Sequence, residues 1–408
     1  MTRVRPGVLV SYAAFVLVGI NSGVSGVLLP SQMGSYGVDR AAIGITFFTS
    51  AAGFALAGFS TGGLIHRYSI RTTLTAGIGV YALAGLYLAS KPPFAVFVLA
   101  QLVTGYGTGI LESALNVYLA ALPGATTLLN RLHAFFGVGA LVGPLLAAWI
   151  LGFASWTVVW LVLAGCGVPL VTGFLAAFPG PAAEAEPEPA AEPPSEARGA
   201  PGAGAARAAA PRPEGLLGAA LRDRGVQLGA AMLAVYVGLE IGVGNWAFSY
   251  LVQTRGLPSS LASYAVSGYW LGLTLGRFLI SPIATRFGLS ASSMMYACLA
   301  GITVTAALGW LAPDAAVACV ALGLLGFCLG PVFPTTMAST PRLTQDRLVP
   351  DAIGVINAAS VGGGSVLPWL AGAIAQSAGM AVLMPFALVL GLAQFGVWRP
   401  IARRLRVR

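Results

Sequence analysis

Two carboxyl groups stand in stretches that are otherwise apolar or small. Glu112 lies in "TGYGTGILESALNVYLAAL" (104–122), and Glu240 lies in "YVGLEIGVGNWAFSYL" (236–251). The other eleven acidic residues fall in polar connecting segments. A charged residue at the centre of a membrane helix costs about 2.5–3.5 kcal/mol on insertion scales, and a carboxyl group removed from water favours its neutral form. Such residues are suited to binding and releasing a proton.

Amide and aromatic side chains accompany the two acids. Asn116 follows Glu112 by four residues, on the same face of a helix. Amides exchange hydrogen bonds with hydroxyl-rich solutes, and sugar rings stack on aromatic faces. The predicted solute contacts are Asn21, Asn116, Asn245, Trp246, Tyr250, Trp270 and Asn357. The alternative for each is an interhelical hydrogen bond or ordinary packing.

Basic residues near these segments give Glu112 a second interpretation. We expect Arg131 and His133 to belong to the proton-coupling group, with His133 bonded to Glu112 or relaying protons. The alternative is that Glu112 is a structural anchor paired with Arg131 or His133. Arg277 is expected to extend to the cytoplasmic interface, with solute binding as the alternative.

The composition identifies the class of protein that must hold these residues. The chain has 408 residues, of which 57% are hydrophobic and 9% charged, with a mean hydropathy of +0.83. A soluble domain carries about a quarter charged residues. The sequence therefore predicts an all-α polytopic membrane protein. Four cysteines lie in apolar segments without metal-ligand spacing, so no metal site or cofactor is expected.

Twelve apolar runs are long enough to span a bilayer. They cover 8–34, 42–65, 72–90, 94–121, 131–152, 156–178, 226–253, 260–284, 290–311, 315–339, 352–376 and 380–398. A segment rich in Pro, Ala and Glu, 179–225, predicts a disordered linker. The linker separates an amino-terminal six-helix bundle (1–178) from a second bundle (226–398), which is followed by a basic tail (399–408).

The basic residues predict the orientation. With the amino terminus inside, eighteen of them fall in cytoplasmic segments and three on the opposite side. Positive residues near helix ends remain in the cytoplasm, so both termini are predicted to be cytoplasmic. The net charge of +9 then reflects topology and attraction to anionic lipid, and no nucleic-acid partner is expected.

The two halves are related in sequence. A shift of 219 residues overlays "GFALAGFSTGGLIHRYS" (53–69) on "GLTLGRFLISPIATRFG" (272–288), and it pairs Arg67 with Arg286. A shift of 224 overlays "GALVGP" (139–144) on "GGSVLP" (363–368). Two parallel six-helix repeats with a binding site between them are typical of transporters.

These features resemble the major facilitator superfamily. The loop "GGLIHRYSIRT" (62–72) is similar to the loop signature of that superfamily, with His66 where Asp is usual and Ser69 where Gly is usual. "LESALN" (111–116), "NRLHAFFGVGALVGP" (130–144) and "LGPVFPTTMA" (329–338) resemble the fucose permease group of proton-coupled sugar symporters. That group has an acid in helix 1 where this chain has Gly26, and Glu240 is the candidate to replace it.

The same resemblance suggests residues for gating. Gly139, Gly143 and Pro144 are expected to pack where the two halves meet, and Pro331 and Pro334 to bend helix 10. Arg67 and Arg286 occupy equivalent loops.

The sequence carries no catalytic cluster and no phosphate-binding loop, so we expect a transporter and not an enzyme. The predicted function is proton-coupled alternating-access transport of a small, sugar-like solute by a monomer in the cell inner (plasma) membrane. One alternative is a proton-antiport exporter of a metabolite or drug. A receptor or scramblase-like protein is another.

Overall fold

The computed structural model describes residues 5–178 and 216–407, and all the regular structure in those ranges is helical. We number the long helices in chain order. They are α1 (Pro6–Tyr36), α2 (Arg40–Tyr68), α3 (Ile70–Ala89), α4 (Phe94–Ala120), α5 (Ala125–Leu151), α6 (Trp156–Ala177), α7 (Arg224–Arg255), α8 (Ser259–Arg286), α9 (Ala291–Leu311), α10a (Ala315–Leu329), α10b (Val332–Ser339), α11 (Val349–Ala378) and α12 (Leu383–Val407).

Eleven of the helices in the described ranges are long and apolar enough to cross a membrane, with α10a and α10b counted as one. The helix that does not meet this criterion is α8, which is long but rich in serine. It packs between α5, α7 and α10a as the predicted eighth span should. The predicted all-α membrane fold is confirmed.

Two predicted boundaries differ from the structure. The predicted linker falls outside the described residues over 179–215, and its last part forms a short helix, Leu216–Arg222. The predicted tail instead continues α12 as far as Val407, with Pro400 inside the helix. At the start of α7, the carboxylate of Asp223 accepts hydrogen bonds from the N–H groups of Gly225 and Val226 and caps the helix.

The sequence repeat is visible in how the helices touch. In the first half, a methyl group on Gly53 of α2 would lie 1.9 Å from the Leu102 carbonyl oxygen of α4. In the second half, a methyl group on Gly272 of α8 would lie 2.2 Å from the Gly323 carbonyl oxygen of α10a. The residues correspond by nearly constant shifts. Both seams therefore depend on glycine for close backbone approach.

The contacts of α5 correct one prediction. A methyl group on Gly139 would lie 2.1 Å from the Val16 carbonyl oxygen, and one on Gly143 would lie 2.8 Å from Gly23 Cα. Pro144 also packs beside Gly23. These residues join α5 to α1 inside the first half and do not lie between the halves. The second half repeats this seam between α7 and α11, where a methyl group on Gly363 would lie 2.0 Å from the Ala234 carbonyl oxygen.

The halves meet at the end of the bundle where α2 begins, which we call the Arg40 end. The Arg40 guanidinium donates to Gln253 Oε1 (2.8 Å), Gln376 Oε1 (3.3 Å) and the Ala375 carbonyl oxygen (3.4 Å). Trp369 Nε1 of α11 donates to the Ala41 carbonyl oxygen at 3.2 Å. We call this set of bonds from α2 to α7 and α11 the Arg40 clamp.

Below the clamp, α1 and α7 are in backbone contact. A methyl group on Gly26 would lie 2.6 Å from the Asn245 carbonyl oxygen. Gly26, whose position is acidic in the fucose permease group, therefore lies at a contact between the two halves. A carboxylate side chain would not fit there in this conformation, which gives a physical reason for the glycine.

Candidate functional site

The centre of the second half holds an ion pair. Arg277 Nη2 of α8 donates to Glu240 Oε1 of α7 at 3.0 Å. The Glu240 side chain is 9% exposed and the Arg277 side chain 27% exposed. Arg277 was expected to reach the cytoplasmic interface, and this expectation is wrong. It lies nine residues before the end of α8 at Arg286, about 13 Å along the axis, and is held there by the carboxylate.

Two buried tyrosines surround the pair. The Tyr269 hydroxyl donates to the Glu240 carbonyl oxygen at 2.9 Å. Tyr236 lies one turn before Glu240, and its buried hydroxyl lies beside the charged groups of Arg277 and Glu240. The Tyr236 ring contacts Phe333 of α10b, with ring centroids 6.2 Å apart. The pair is therefore shielded on the side of its own half, and Arg277 is the more accessible member.

Glu112 lies in the other half and is partly exposed. Among the described residues its carboxylate makes no ion pair and no hydrogen bond, so the predicted bond to Arg131 or His133 is absent from this conformation. The Asn116 amide donates to the Glu112 carbonyl oxygen at 2.8 Å and leaves the carboxylate free. Arg277 is within electrostatic range of both Glu112 and His133.

The exposure of His133 indicates where the two halves separate. It lies one turn before Gly137 on the same face of α5, and a methyl group on Gly137 would lie 2.3 Å from Thr274 Oγ1 of the opposite half. At Gly137 the halves are therefore in contact, whereas His133 and Arg131 are exposed. The His133 ring meets Phe15 edge-on, with centroids 5.6 Å apart. A gap thus opens toward the start of α5.

The three residues of the predicted aromatic wall are buried, and the Trp246 ring also meets Phe47 of α2 edge-on, with centroids 6.2 Å apart. Trp246 has no exposed surface, and its Nε1 donates to the Pro368 carbonyl oxygen at 2.8 Å. The Tyr250 hydroxyl donates to the Gly309 carbonyl oxygen at 2.7 Å and accepts from Arg255 Nε. Trp270 is 3% exposed and packs on Gly244. In this conformation none of the three offers a face to a solute, which corrects the prediction.

The four asparagines that were predicted to contact the solute differ in their surroundings. Asn21 Oδ1 accepts from the Tyr81 hydroxyl at 3.0 Å, within the first half. Asn245 is buried against α1. Asn116 is partly exposed and Asn357 is exposed, on α4 and α11 respectively. The accessible amides among the four are therefore Asn116 and Asn357.

The predicted gating residues of α10 coincide with a break. The helix is interrupted at Gly330 and Pro331, between α10a and α10b, and Pro334 lies within α10b. A methyl group on Gly330 would lie 2.4 Å from the Arg277 backbone nitrogen, so the break packs directly on the residue that bears the cation. Arg67 and Arg286 lie exposed in the last turns of α2 and α8, as the repeat predicts.

The role of Arg277 was missed because pairing between α7 and α8 has no signature in the sequence. Its depth within the eighth span was the available signal, since an arginine two to three turns from a helix end cannot reach the interface easily. In the part of the chain that the structure describes, no group of three metal-ligating side chains occurs.

Comparison with known sequences places the chain in context. The sequence profile described as Major Facilitator Superfamily matches residues 12–263 and 245–408. The Bypass of stop codon protein 6 of Saccharomyces cerevisiae is 26% identical, over 92% of this chain and 78% of its own. The Glucose/galactose transporter of Brucella abortus is also 26% identical, over 94% of this chain and 91% of its own.

Solved structures show the same fold. A bacterial homologue of the human lysosomal transporter Spinster, inward-facing and occupied, matches with a TM-score of 0.75 and 13% identity, over 97% of this chain and 96% of its own. The E. coli fucose:proton symporter matches with a TM-score of 0.61 and 16% identity, over 96% of this chain and 97% of its own.

Proposed function

Because this chain belongs to the major facilitator superfamily, we propose that it moves a small, sugar-like solute across the cell inner membrane by proton-coupled alternating access. The observation that carries the proposal is the unequal state of the two acids in the membrane helices. Glu240 is paired with Arg277 at 3.0 Å, and the Glu112 carboxylate in the opposite half has no partner among the described residues.

The difference between the acids assigns their roles. The Arg277 guanidinium neutralises the Glu240 carboxylate, and the Tyr269 hydroxyl fixes the backbone of Glu240 through its carbonyl oxygen. Glu112 has no fixed cation, so it needs a proton whenever water is excluded from the gap. Glu112 is therefore the proton carrier of this mechanism, and Glu240 with Arg277 is the fixed pair that Glu112 faces.

The shared cation couples the two halves. When Glu112 loses its proton, its negative charge attracts Arg277, which is within electrostatic range and partly exposed. When Glu112 is protonated, Arg277 is held by Glu240 alone. The charge state of Glu112 thus changes the attraction between the halves, and a proton that crosses the membrane contributes about 2.3 kcal/mol per 100 mV.

The contacts between the halves support alternating access. They are closed at the Arg40 end, through the clamp and the contact of Gly26 with Asn245, and separated around His133. With the orientation predicted from the basic residues, the Arg40 end faces outward and the gap faces the cytoplasm. Opening the clamp and closing the gap would give the opposite state.

The solute class is inferred from the relatives and the accessible side chains. The Brucella relative is named a glucose/galactose transporter, and GlcP of Bacillus subtilis, named a glucose/mannose transporter, is 22% identical over 89% of this chain and 86% of its own. Asn116, Asn357 and Glu112 offer hydrogen-bonding groups that are accessible in this structure. Such groups suit a hydroxyl-rich solute.

Proton flux in proteoliposomes tests the proposal. A glucose gradient across the membrane should move protons in the same direction as the sugar. Glu112→Gln should remove this proton movement while leaving glucose counterflow at about the wild-type rate, since counterflow needs no net proton transfer. Asp346→Asn is the matched control, because Asp346 is an exposed acid outside the membrane spans.

The same assay examines the exporter alternative. If protons moved opposite to the solute, the mechanism would be antiport instead of symport, and Glu112 would still be the proton carrier. Unchanged proton coupling in Glu112→Gln would reject Glu112 as the carrier.

A further inference from the structure

A second cavity lies at the Arg40 end, away from the ion pair. Its volume is about 660 Å³, and it is bounded by α1, α5, α7 and α8. Such a volume is in the range of small-molecule sites. Because α1 and α5 belong to one half and α7 and α8 to the other, the cavity exists only while this end of the bundle is closed.

Unused hydroxyl groups face this cavity. Ser31, Ser249 and Ser260 line it, and their hydroxyls make no hydrogen bond among the described residues. Helical serine usually bonds a carbonyl of the preceding turn, as Ser11 and Ser25 do here. Ser249 is 2% exposed, so its hydroxyl lies in a confined part of the lining, where the protein supplies no hydrogen-bond partner and a polar group in the cavity can supply one.

Apart from Gln253, Ser259 and Ser263, the rest of the lining is formed by apolar and aromatic residues, and none of the lining residues is charged. Val27, Leu145 and Phe248 form the inner wall, and Trp149 and Tyr264 stand at the rim, where they are 67% and 63% exposed. Both rim residues belong to membrane-crossing helices near their ends. Indole and phenol rings in that position are typical of the interface between lipid tails and headgroups. The cavity therefore opens toward lipid.

We propose that this cavity is a second binding site, which takes an uncharged amphiphile with a hydroxylated headgroup. The hydroxyls of Ser31, Ser249 and Ser260 would bond the headgroup, and the apolar wall and aromatic rim would hold the start of an alkyl chain. The lack of charge in the lining disfavours an ionic headgroup, because nothing would compensate its desolvation.

Occupancy of the site acts on the conformation of the transporter. Gln253 lines the cavity and also accepts from Arg40 Nη2 at 2.8 Å. A ligand that touches both halves here binds only the state in which the clamp is closed. Such a ligand shifts the equilibrium toward that state by its differential affinity, and the amphiphile is therefore an inhibitor of opening at the Arg40 end.

Binding of octyl glucoside to the full chain tests the proposal. The chain is held in nanodiscs of phosphatidylcholine, and octyl glucoside is titrated below its micelle concentration with saturation-transfer NMR as the readout. Octyl phosphocholine has the same chain length with an ionic headgroup, and free glucose has the headgroup without the chain. We expect octyl glucoside to bind at least tenfold more tightly than either.

Substitutions locate the binding. Ser249→Ala removes one hydrogen bond and should weaken octyl glucoside about 2- to 10-fold, and Ala148→Phe should abolish binding by filling the cavity, which Ala148 lines. Ser267→Ala is the matched control, because Ser267 is a buried serine of α8 that does not line the cavity. Its affinity should equal that of the wild type.

Three outcomes would contradict the proposed second binding site. Equal binding of octyl phosphocholine would overturn recognition of a hydroxylated headgroup. Free glucose that binds as tightly as octyl glucoside, and loses that binding in Ala148→Phe, would overturn the lipid source, because glucose bound at the transport site would be unaffected by this substitution. Octyl glucoside that binds Ala148→Phe as well as it binds the wild type would overturn the site itself. The readout is independent of transport, so failure of proton coupling elsewhere would leave this result unaffected.

Discussion

Arg277 and Glu240 neutralise each other in the interior of the second half, with 3.0 Å between Nη2 and Oε1. The membrane interior disfavours each charge by itself. Loss of either member would leave the other charge buried without a partner, which destabilises the protein more than keeping both. The pairing also leaves Glu112 as the acid within the described membrane helices that has no ion-pair partner.

Separating the charges of the pair should destabilise the protein. We expect Arg277→Met alone to lower the free energy of unfolding by about 3–5 kcal/mol, since it leaves the Glu240 carboxylate buried without a partner. Arg277→Met combined with Glu240→Gln should recover most of the loss. Chemical unfolding in detergent measures both, and a double variant no more stable than the single one would contradict the pairing energy.

Removal of the Arg40 clamp should change which end is open. Arg40→Ala deletes the guanidinium bonds to Gln253, Gln376 and Ala375, a loss of about 2 kcal/mol, which corresponds to about 30-fold in the balance of states. We expect faster labelling of a cysteine placed at Asn245, measured with a membrane-impermeant maleimide.

A second arginine at the same end provides the control for the clamp. Arg255 bonds only within its own half, to carbonyl oxygens of Gly309, Trp310 and Ala312 among others. Arg255→Ala should reduce stability without changing the labelling rate. Equal labelling of the Arg40 and Arg255 variants would show that the clamp does not hold this end closed.

Trp246 should behave as a core residue. Trp246→Ala is expected to cost about 3–5 kcal/mol of stability, because the side chain has no exposed surface. Trp246→Phe keeps most of the volume and should lose about 1 kcal/mol with the bond to Pro368. Trp310 is 47% exposed, and Trp310→Ala should be nearly neutral. If Trp246→Ala had normal stability and a raised KM for the solute, the result would instead support the predicted role of Trp246 as a solute contact.

The two halves should respond alike to matched glycine substitutions. Gly53→Ala and Gly272→Ala each place a methyl group within 2.2 Å of a carbonyl oxygen on the facing helix, and both should destabilise by about 1–3 kcal/mol. Gly58→Ala has open space around it and should stabilise α2 by about 0.5–1 kcal/mol. Thermal unfolding compares the three variants, and a neutral Gly272→Ala would contradict the repeat of the seam.

The sequence was sufficient for the fold because its signals are long and redundant. The apolar runs predicted most helix ends to within a few residues, except the start of α5 and the end of α12, and the shift of 219 residues paired Gly53 with Gly272. The position of Glu112 and Glu240 inside apolar helices was equally plain. Each of these features depends on the spacing of residues along one helix or on the repeat between the halves. Neither requires knowledge of which face a helix turns toward its neighbours.

The site was predicted less well because it depends on helix rotation. The spacing of Trp246 and Tyr250 gives them a common face, but it does not reveal whether that face meets a cavity or the neighbouring helix, and the structure shows the latter. The partner of Arg277 lies 37 residues away on another helix. For Gly139 and Gly143 the tight packing was anticipated, and the partner helix was not.

The glycine seams have a mechanical consequence. They join α1 to α5 and α2 to α4 by backbone contact, whereas side-chain hydrogen bonds form the clamp between the halves. Two spin labels on one half should therefore keep a single separation in every state of the cycle. Labels at the start of α5 and the end of α10b should report two separations, exchanging as solute and protons are added.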